Sequence, residues 1–203
     1  NILLAEGRYE IEGSVENKSL VISGVGNPEN VILVAQNDGA AEGNCDYCFK
    51  GSNVIFNNIT ITTTGTYYPG YAYMVGTFNN CIINGTYSCY RNNTFNGCTF
   101  NVEGDLYNLW TWGGEEVNIT NCIFNCDGKA VLLYGATNTK LIINNSIFNE
   151  HQRNSQKSQR EIHSLLLIIH FSSPFYKAQG MASMQEHHLH LHNLQMLLHL
   201  NHH

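Results

Sequence analysis

The feature that most constrains this chain is a six-residue repeat that recurs between residues 56 and 148. Each unit reads apolar, polar, polar, small or apolar, variable, apolar. The units are Phe56–Ile61, Phe78–Ile83, Phe95–Phe100, Ile119–Phe124 and Ile143–Phe148. Equivalent positions lie 22, 17, 24 and 24 residues apart, counted at residues 59, 81, 98, 122 and 146. Such spacing is typical of the coils of a solenoid.

The pattern inside each unit predicts a short strand with one buried face. Its last three positions alternate between inward and outward, as they do in a half-buried strand. One coil buries too little apolar surface to be stable, so the coils must stack and share a core. Asparagine at equivalent positions predicts side-chain amide ladders and left-handed corners, because asparagine tolerates that backbone conformation.

We therefore expect an all-β fold, a right-handed parallel β-helix over about residues 1–150, followed by an atypical tail. Helices are disfavoured because the segments are short, β-branched and aromatic. A β-sandwich is the alternative, since it also uses many short strands. The solenoid is preferred because the units resemble one another, which a sandwich does not require.

The tail, residues 151–203, differs sharply in composition and contains all ten histidines. Three interpretations compete. His187, His188, His190 and His192 form a weak candidate site for a transition metal. The apolar run Leu165–Ile169 is a candidate cap for the open strand edges of the solenoid. The third interpretation, which we favour, is a shift of reading frame or a wrong gene boundary after the last repeat, which would leave the tail frame-shifted or disordered.

Two stretches of the chain carry a family resemblance. Residues 2–34, which include Leu3–Ile11 and Leu20–Leu33, resemble the opening coils of pectin-lyase-like β-helix proteins. Residues 53–149 are similar to the Asn-, Cys- and Phe-rich coils of bacterial surface proteins in that superfamily. The resemblance implies a parallel β-helix that is secreted or at the cell surface. It implies little about function, because this architecture carries lyases, hydrolases, esterases, phage tailspikes and adhesins.

The catalytic residues that the resemblance would imply are scarce. Polygalacturonase-type members use a carboxylate cluster, a histidine and an Arg/Lys pair, but residues 1–150 contain no histidine, and their arginines are Arg8 and Arg91. Glu103, Asp105 and Asp127 are weak candidates for a calcium site, because residues 24 apart can stack on neighbouring coils. Solvated loop carboxylates are the preferred interpretation. We expect no cofactor, and we expect Cys81, Cys98 and Cys122 to be buried free thiols.

Aromatic residues cluster in the loops and in the second strand of each coil. A face for stacking sugar rings would draw on six of them: Tyr73, Tyr90, Tyr107, Trp110, Trp112 and Tyr134. The competing interpretation is that about half of them point inward and the rest are ordinary strand residues.

Together these features predict a non-catalytic surface or secreted β-helix module for adhesion or for binding a polysaccharide, a cell-surface glycan or another macromolecule. A polysaccharide lyase or hydrolase of the same superfamily is one alternative, and a structural spacer or tailspike-like segment is the other. The net charge of -6 argues against nucleic acid as a partner. We expect no membrane span, because no stretch of 18 apolar residues occurs. The oligomeric state is left open.

Overall fold

The computed structural model of the chain consists almost entirely of short β-strands. It describes residues 1–11, 15–35, 48–63, 74–103, 106–111, 116–126, 129–133, 140–150, 158–161, 167–170 and 187–190. In these ranges the strands form three sheets, which we name A, B and C. The same ranges include one 3₁₀ turn, Pro28–Asn30, which lies between two strands.

Each coil contributes one strand to each sheet that it reaches. Sheet A contains β1 Ile2–Leu4, β3 Ser19–Gly24, β5 Asn53–Asn57, β7 Val75–Asn79, β10 Asn93–Asn96, β13 Glu116–Thr120, β16 Lys140–Asn144 and β19 Leu167–His170. Sheet B contains β2 Gly7–Ile11, β4 Val31–Ala35, β6 Thr60–Thr63, β8 Ile82–Asn84, β11 Thr99–Asn101, β14 Ile123–Cys126, β17 Ile147–Glu150 and β18 Ser158–Glu161. Sheet C contains β9 Tyr87–Cys89, β12 Leu109–Thr111, β15 Lys129–Leu133 and β20 His187–His190.

Neighbouring coils pair in parallel throughout the repeat region. Phe95 in β10 pairs with Phe78 in β7, and Phe100 in β11 pairs with Phe124 in β14. The expected parallel β-helix is confirmed. The β-sandwich alternative is wrong, because successive strands of the repeat pair with the next coil in parallel rather than with each other in hairpins.

The core consists of aromatic rings that stack from coil to coil. Phe78 lies 5.2 Å from Phe56 and 4.8 Å from Phe95, measured between ring centroids, and both pairs are nearly parallel. A second stack in sheet B joins Phe100, Phe124 and Phe148 at 4.5 and 4.8 Å. All six rings are buried. The first and last positions of the repeat are therefore aromatic or aliphatic because they fill the centre of the solenoid.

The corner between sheets A and B has a left-handed residue in each of the five repeat coils. Asn58, Asn80, Asn121 and Asn145 have φ angles of 56°, 52°, 55° and 47°, and Gly97 occupies the same corner at 62°. Asparagine and glycine adopt this conformation most readily among the amino acids. The prediction that asparagine forms the corners is confirmed.

We expect the Asn121→Ala variant to be less stable than the Asn121→Gly variant by about 1 kcal/mol. Both variants lose the hydrogen bond that Asn145 Nδ2 donates to Asn121 Oδ1, so their difference isolates the cost of a left-handed β-carbon. Urea unfolding measures it. Asn118 provides the control, because it lies in an extended strand, where alanine should be the more stable replacement. The same order at both positions would contradict the corner assignment.

Asparagine side chains form ladders along the outer edges of two sheets. In sheet A, Asn96 Nδ2 donates to Asn79 Oδ1, and Asn79 Nδ2 donates to Asn57 Oδ1, both at 2.9 Å. In sheet B, a ladder joins Asn84, Asn101, Asn125 and Asn149 over distances of 2.7 to 2.9 Å. The predicted amide ladders are therefore present.

Three strands of the tail lie on the last coil of the solenoid. The backbones of β18, β19 and β20 pair antiparallel with β17, β16 and β15, so one strand covers the edge of each sheet. Leu167, in the run predicted to cap the solenoid, pairs with Ile143. The cap interpretation stays a prediction. The reading frame of the tail stays a prediction.

Candidate functional site

The outer face of sheet B presents two rows of side chains along the solenoid axis. Alternation along each strand sends Ile61, Ile83 and Phe100 into the core, where they are buried. The residues on either side of them point outward. One row contains Ile32, Thr60, Ile82, Thr99 and Ile123, and the other contains Thr62, Asn84, Asn101 and Asn125. Apolar and hydrogen-bonding side chains thus run side by side across the coils.

A groove of about 380 Å³ follows these rows across five neighbouring strands, β2, β4, β6, β8 and β11. Its lining residues are Arg8, Glu29, Ile32, Thr60, Thr62, Ile82, Asn84 and Asn101. The volume lies within the range of small-molecule and oligosaccharide sites.

The 3₁₀ turn Pro28–Asn30 forms a wall of the groove. Thr60 Oγ1 donates to Pro28 O at 2.8 Å and fixes the turn against the sheet. Asn27 caps the turn by accepting from Glu29 N at 3.1 Å. The backbone N–H of Asn27 in turn donates to Glu6 Oε1 at 3.2 Å. These contacts hold Glu29 beside the groove and leave its carboxylate on the surface.

The groove carries almost no net charge. Arg8 and Glu29 are its charged lining residues, and Arg8 Nε lies 3.5 Å from Glu10 Oε1. Both members of this ion pair are about half exposed, at 52% and 51%, so solvent screens their attraction. The remaining lining residues are neutral amides, hydroxyls and aliphatic side chains.

The ladder orients the amides of the groove. Asn101 Nδ2 donates to Asn84 Oδ1 at 2.9 Å, and Asn125 Nδ2 donates to Asn101 Oδ1 at 2.7 Å. A primary amide has two N–H donors and an oxygen with two lone pairs. The ladder uses one donor and one lone pair of Asn101, which leaves one of each to face a ligand. These fixed amides make a preorganised hydrogen-bonding strip.

The structure describes part of the predicted aromatic face. Tyr90, Tyr107 and Trp110 are half-buried, whereas Tyr73, Trp112 and Tyr134 lie outside the described residues. Trp110 in β12 is in register with Ser88 and Leu132, so its neighbours in this row are not aromatic. The aromatic face stays a prediction.

The candidate metal ligands are likewise only partly described. Glu103 is exposed, Asp105, Asp127 and His192 lie outside the described residues, and His187, His188 and His190 belong to β20. Within the part of the chain that the structure describes, no three His, Cys, Asp or Glu residues converge to hold a metal ion. Glu116, another acidic residue of this region, pairs with Lys140 at 3.1 Å.

The thiols at the fourth repeat position form a buried ladder. Cys81, Cys98 and Cys122 are free and buried, as predicted. Each Sγ donates to one carbonyl oxygen of the preceding coil and to one at the end of the sheet A strand in its own coil. Hydrogen bonds with Cys122 and Cys81, together with burial, raise the pKa of the Cys98 thiol above its ordinary value. Cys98 is fully buried, which is typical of a packing residue.

Sequence reasoning missed the groove, because its wall and floor come from residues far apart in the chain. The dipeptide Asn27-Pro28 was the available signal, since asparagine followed by proline is typical of the start of a helical turn.

The function of this chain has to be argued from its architecture. Among the described residues, no helix has the length and apolar character needed to cross a membrane. Searches of protein-family models, curated proteins and solved structures each found no match to this chain. The chain is identified by its own geometry as a parallel β-solenoid with a neutral groove along one outer face.

Proposed function

We propose that this chain is a non-catalytic β-helix module, secreted or at the cell surface, that binds a polysaccharide along the outer groove of sheet B. The observation that carries the proposal is the groove itself, which crosses five neighbouring strands. Two oriented amides, Asn84 and Asn101, lie in it together with threonine hydroxyls and aliphatic side chains. A sugar chain offers the matching surface, with hydroxyl groups at its edges and C–H groups on its faces.

The spacing of the rows favours sugar over other polymers. Outward residues of neighbouring coils recur about every 4.8 Å, which gives a row of roughly 19 Å over five strands. One pyranose unit of an extended chain has a length close to one such interval. An extended peptide rises about 3.3 Å per residue, which does not match the spacing of the coils. Nucleic acid needs a row of cations, and Arg8 is the one cation among the described residues that line the groove.

The residue types in the groove favour binding over cleavage. Glu29 is the one carboxylate among its described lining residues. Most glycoside hydrolases use two carboxyl groups at a defined separation. Lyase or hydrolase activity and a purely structural role are the alternatives that the experiment must separate.

A glycan-array screen of the full chain, followed by calorimetric titration with the best oligosaccharide on the array, tests the proposal. We expect the Ile82→Ala variant to bind about tenfold more weakly, because it loses an apolar contact at the floor of the groove. Ile142→Ala is the matched control, since Ile142 is equally half-buried but lies on the outer face of sheet A. Its affinity should equal that of the unmodified chain.

Three other outcomes contradict the proposal in different ways. Loss of binding in Trp110→Ala, with the affinity of Ile82→Ala unchanged, would assign the binding site to the aromatic face. Shortening of the oligosaccharide during incubation would favour the lyase or hydrolase alternative. Absence of binding to every glycan on the array would favour the structural spacer.

A further inference from the structure

Two buried polar atoms lie where the chain passes from sheet B to sheet C. Thr86 is 3% exposed and Asn108 is fully buried. Within the described part of the chain, neither Thr86 Oγ1 nor Asn108 Oδ1 has a hydrogen-bond partner. Buried side-chain oxygens almost always have one, so this pair calls for a physical explanation.

The two residues occupy equivalent places in neighbouring coils. Tyr87 in β9 is in register with Leu109 in β12, and Thr86 and Asn108 immediately precede them. The backbones touch at this point, because Tyr87 N donates to Asn108 O at 2.9 Å. The two orphaned oxygens therefore belong to one corner of the solenoid and not to separate defects.

The orientation of the Asn108 amide is fixed. Its Nδ2 donates to Asn125 O at 3.1 Å, in the coil that follows. Turning the amide over would bring its oxygen against this carbonyl oxygen and lose the bond. Asn108 Oδ1 is consequently held as an acceptor that needs a donor, and the Thr86 hydroxyl is a donor that needs an acceptor.

The chemistry of the pair selects the ligand. A calcium ion needs six to eight oxygens around it, and a buried monovalent cation with two neutral oxygens would be poorly compensated. A water molecule needs two to four polar partners and is the usual occupant of such a corner.

We propose that Thr86 and Asn108 together bind one internal water molecule, which holds the segment Tyr107–Trp110 against the coil before it. The water accepts a hydrogen bond from the Thr86 hydroxyl and donates one to Asn108 Oδ1. It thereby fixes the corner from which β12 begins. This site is independent of the groove on sheet B, so the failure of one proposal would leave the other unaffected.

The sign of one stability change tests the proposal. The Thr86→Val variant keeps the shape of the side chain and removes its hydroxyl. If the water is bound, valine removes one of its partners, and we expect the folding equilibrium constant to fall about tenfold. If the hydroxyl had no hydrogen-bond partner, water included, its removal would leave stability unchanged or raise it, and the proposal would be overturned. Denaturant unfolding of the full chain measures the change.

Thr99→Val is the matched control, because Thr99 is half-buried on the outer face of sheet B, where valine suits a strand equally well. Its folding constant should be unchanged. A high-resolution crystal structure provides the second readout, with a water oxygen expected within hydrogen-bonding distance of both Thr86 Oγ1 and Asn108 Oδ1. A direct bond between the two side chains, a cation with six oxygen ligands, or an empty corner would each contradict the assignment.

Discussion

Replacing Phe78 with alanine is expected to lower the free energy of unfolding by about 3–5 kcal/mol, one of the two largest effects that we predict. Phe78 is fully buried at the centre of the sheet A stack. Its ring contacts Phe56 and Phe95 above and below, and Tyr87 packs edge-on at 5.3 Å. Alanine removes all three ring contacts, and the coils on either side cannot close the cavity without breaking their strand pairing.

Denaturant unfolding measures this effect, and Ile55→Ala is the control. Ile55 is also a large apolar residue in sheet A, adjacent to the stack, but it points outward and is 40% exposed. Its replacement should change stability by no more than about 0.5–1 kcal/mol. Equal losses at the two positions would mean that the stack does not form the core.

The second large effect is expected from Gly24→Ala, which should cost about 2–3 kcal/mol. A β-carbon at this position would overlap the carbonyl oxygen of Asn58 in the next coil and lie 2.9 Å from Ile59 Cγ2. The carbonyl is part of the backbone, so it cannot rotate aside as a side chain would. Alanine therefore forces neighbouring coils apart at the corner between sheets A and B.

Val25→Ala is the matched control for this substitution. Val25 follows Gly24 directly and is 56% exposed, so its replacement should leave the unfolding midpoint nearly unchanged. Thermal or urea unfolding of both variants makes the comparison. A Gly24→Ala variant as stable as the unmodified chain would show that the coils are more widely separated there than the structure indicates.

Most of the solenoid was predictable because each coil repeats the same local arrangement of residues. The apolar first and last positions of the unit predicted the stacks of Phe78 and Phe124. The asparagines at the polar positions of the unit predicted the left-handed corners at Asn80 and Asn121. The cysteines at a shared inward position predicted a buried thiol ladder. These features depend on residues within one unit and on its copy in the next coil, which is the information that a repeat contains.

The groove and the corner at Asn108 could not be predicted from the repeat, because they depend on contacts between residues of different coils. Arg8, Glu29 and Asn101 line one surface, although several coils of the chain separate Asn101 from the other two. Their proximity follows from the lengths of the loops, which vary between units. No local sequence pattern indicates it. The three-sheet cross-section has the same origin, because the first described strand of sheet C is β9.

The parallel stacking of coils is the central claim, and a crystal structure of the full chain tests it most directly. The account predicts Phe56, Phe78 and Phe95 in one row, with nearly parallel rings about 5 Å apart and parallel pairing of β5, β7 and β10. Antiparallel pairing of successive strands through hairpins, with these rings in separate layers of a sandwich, would contradict it.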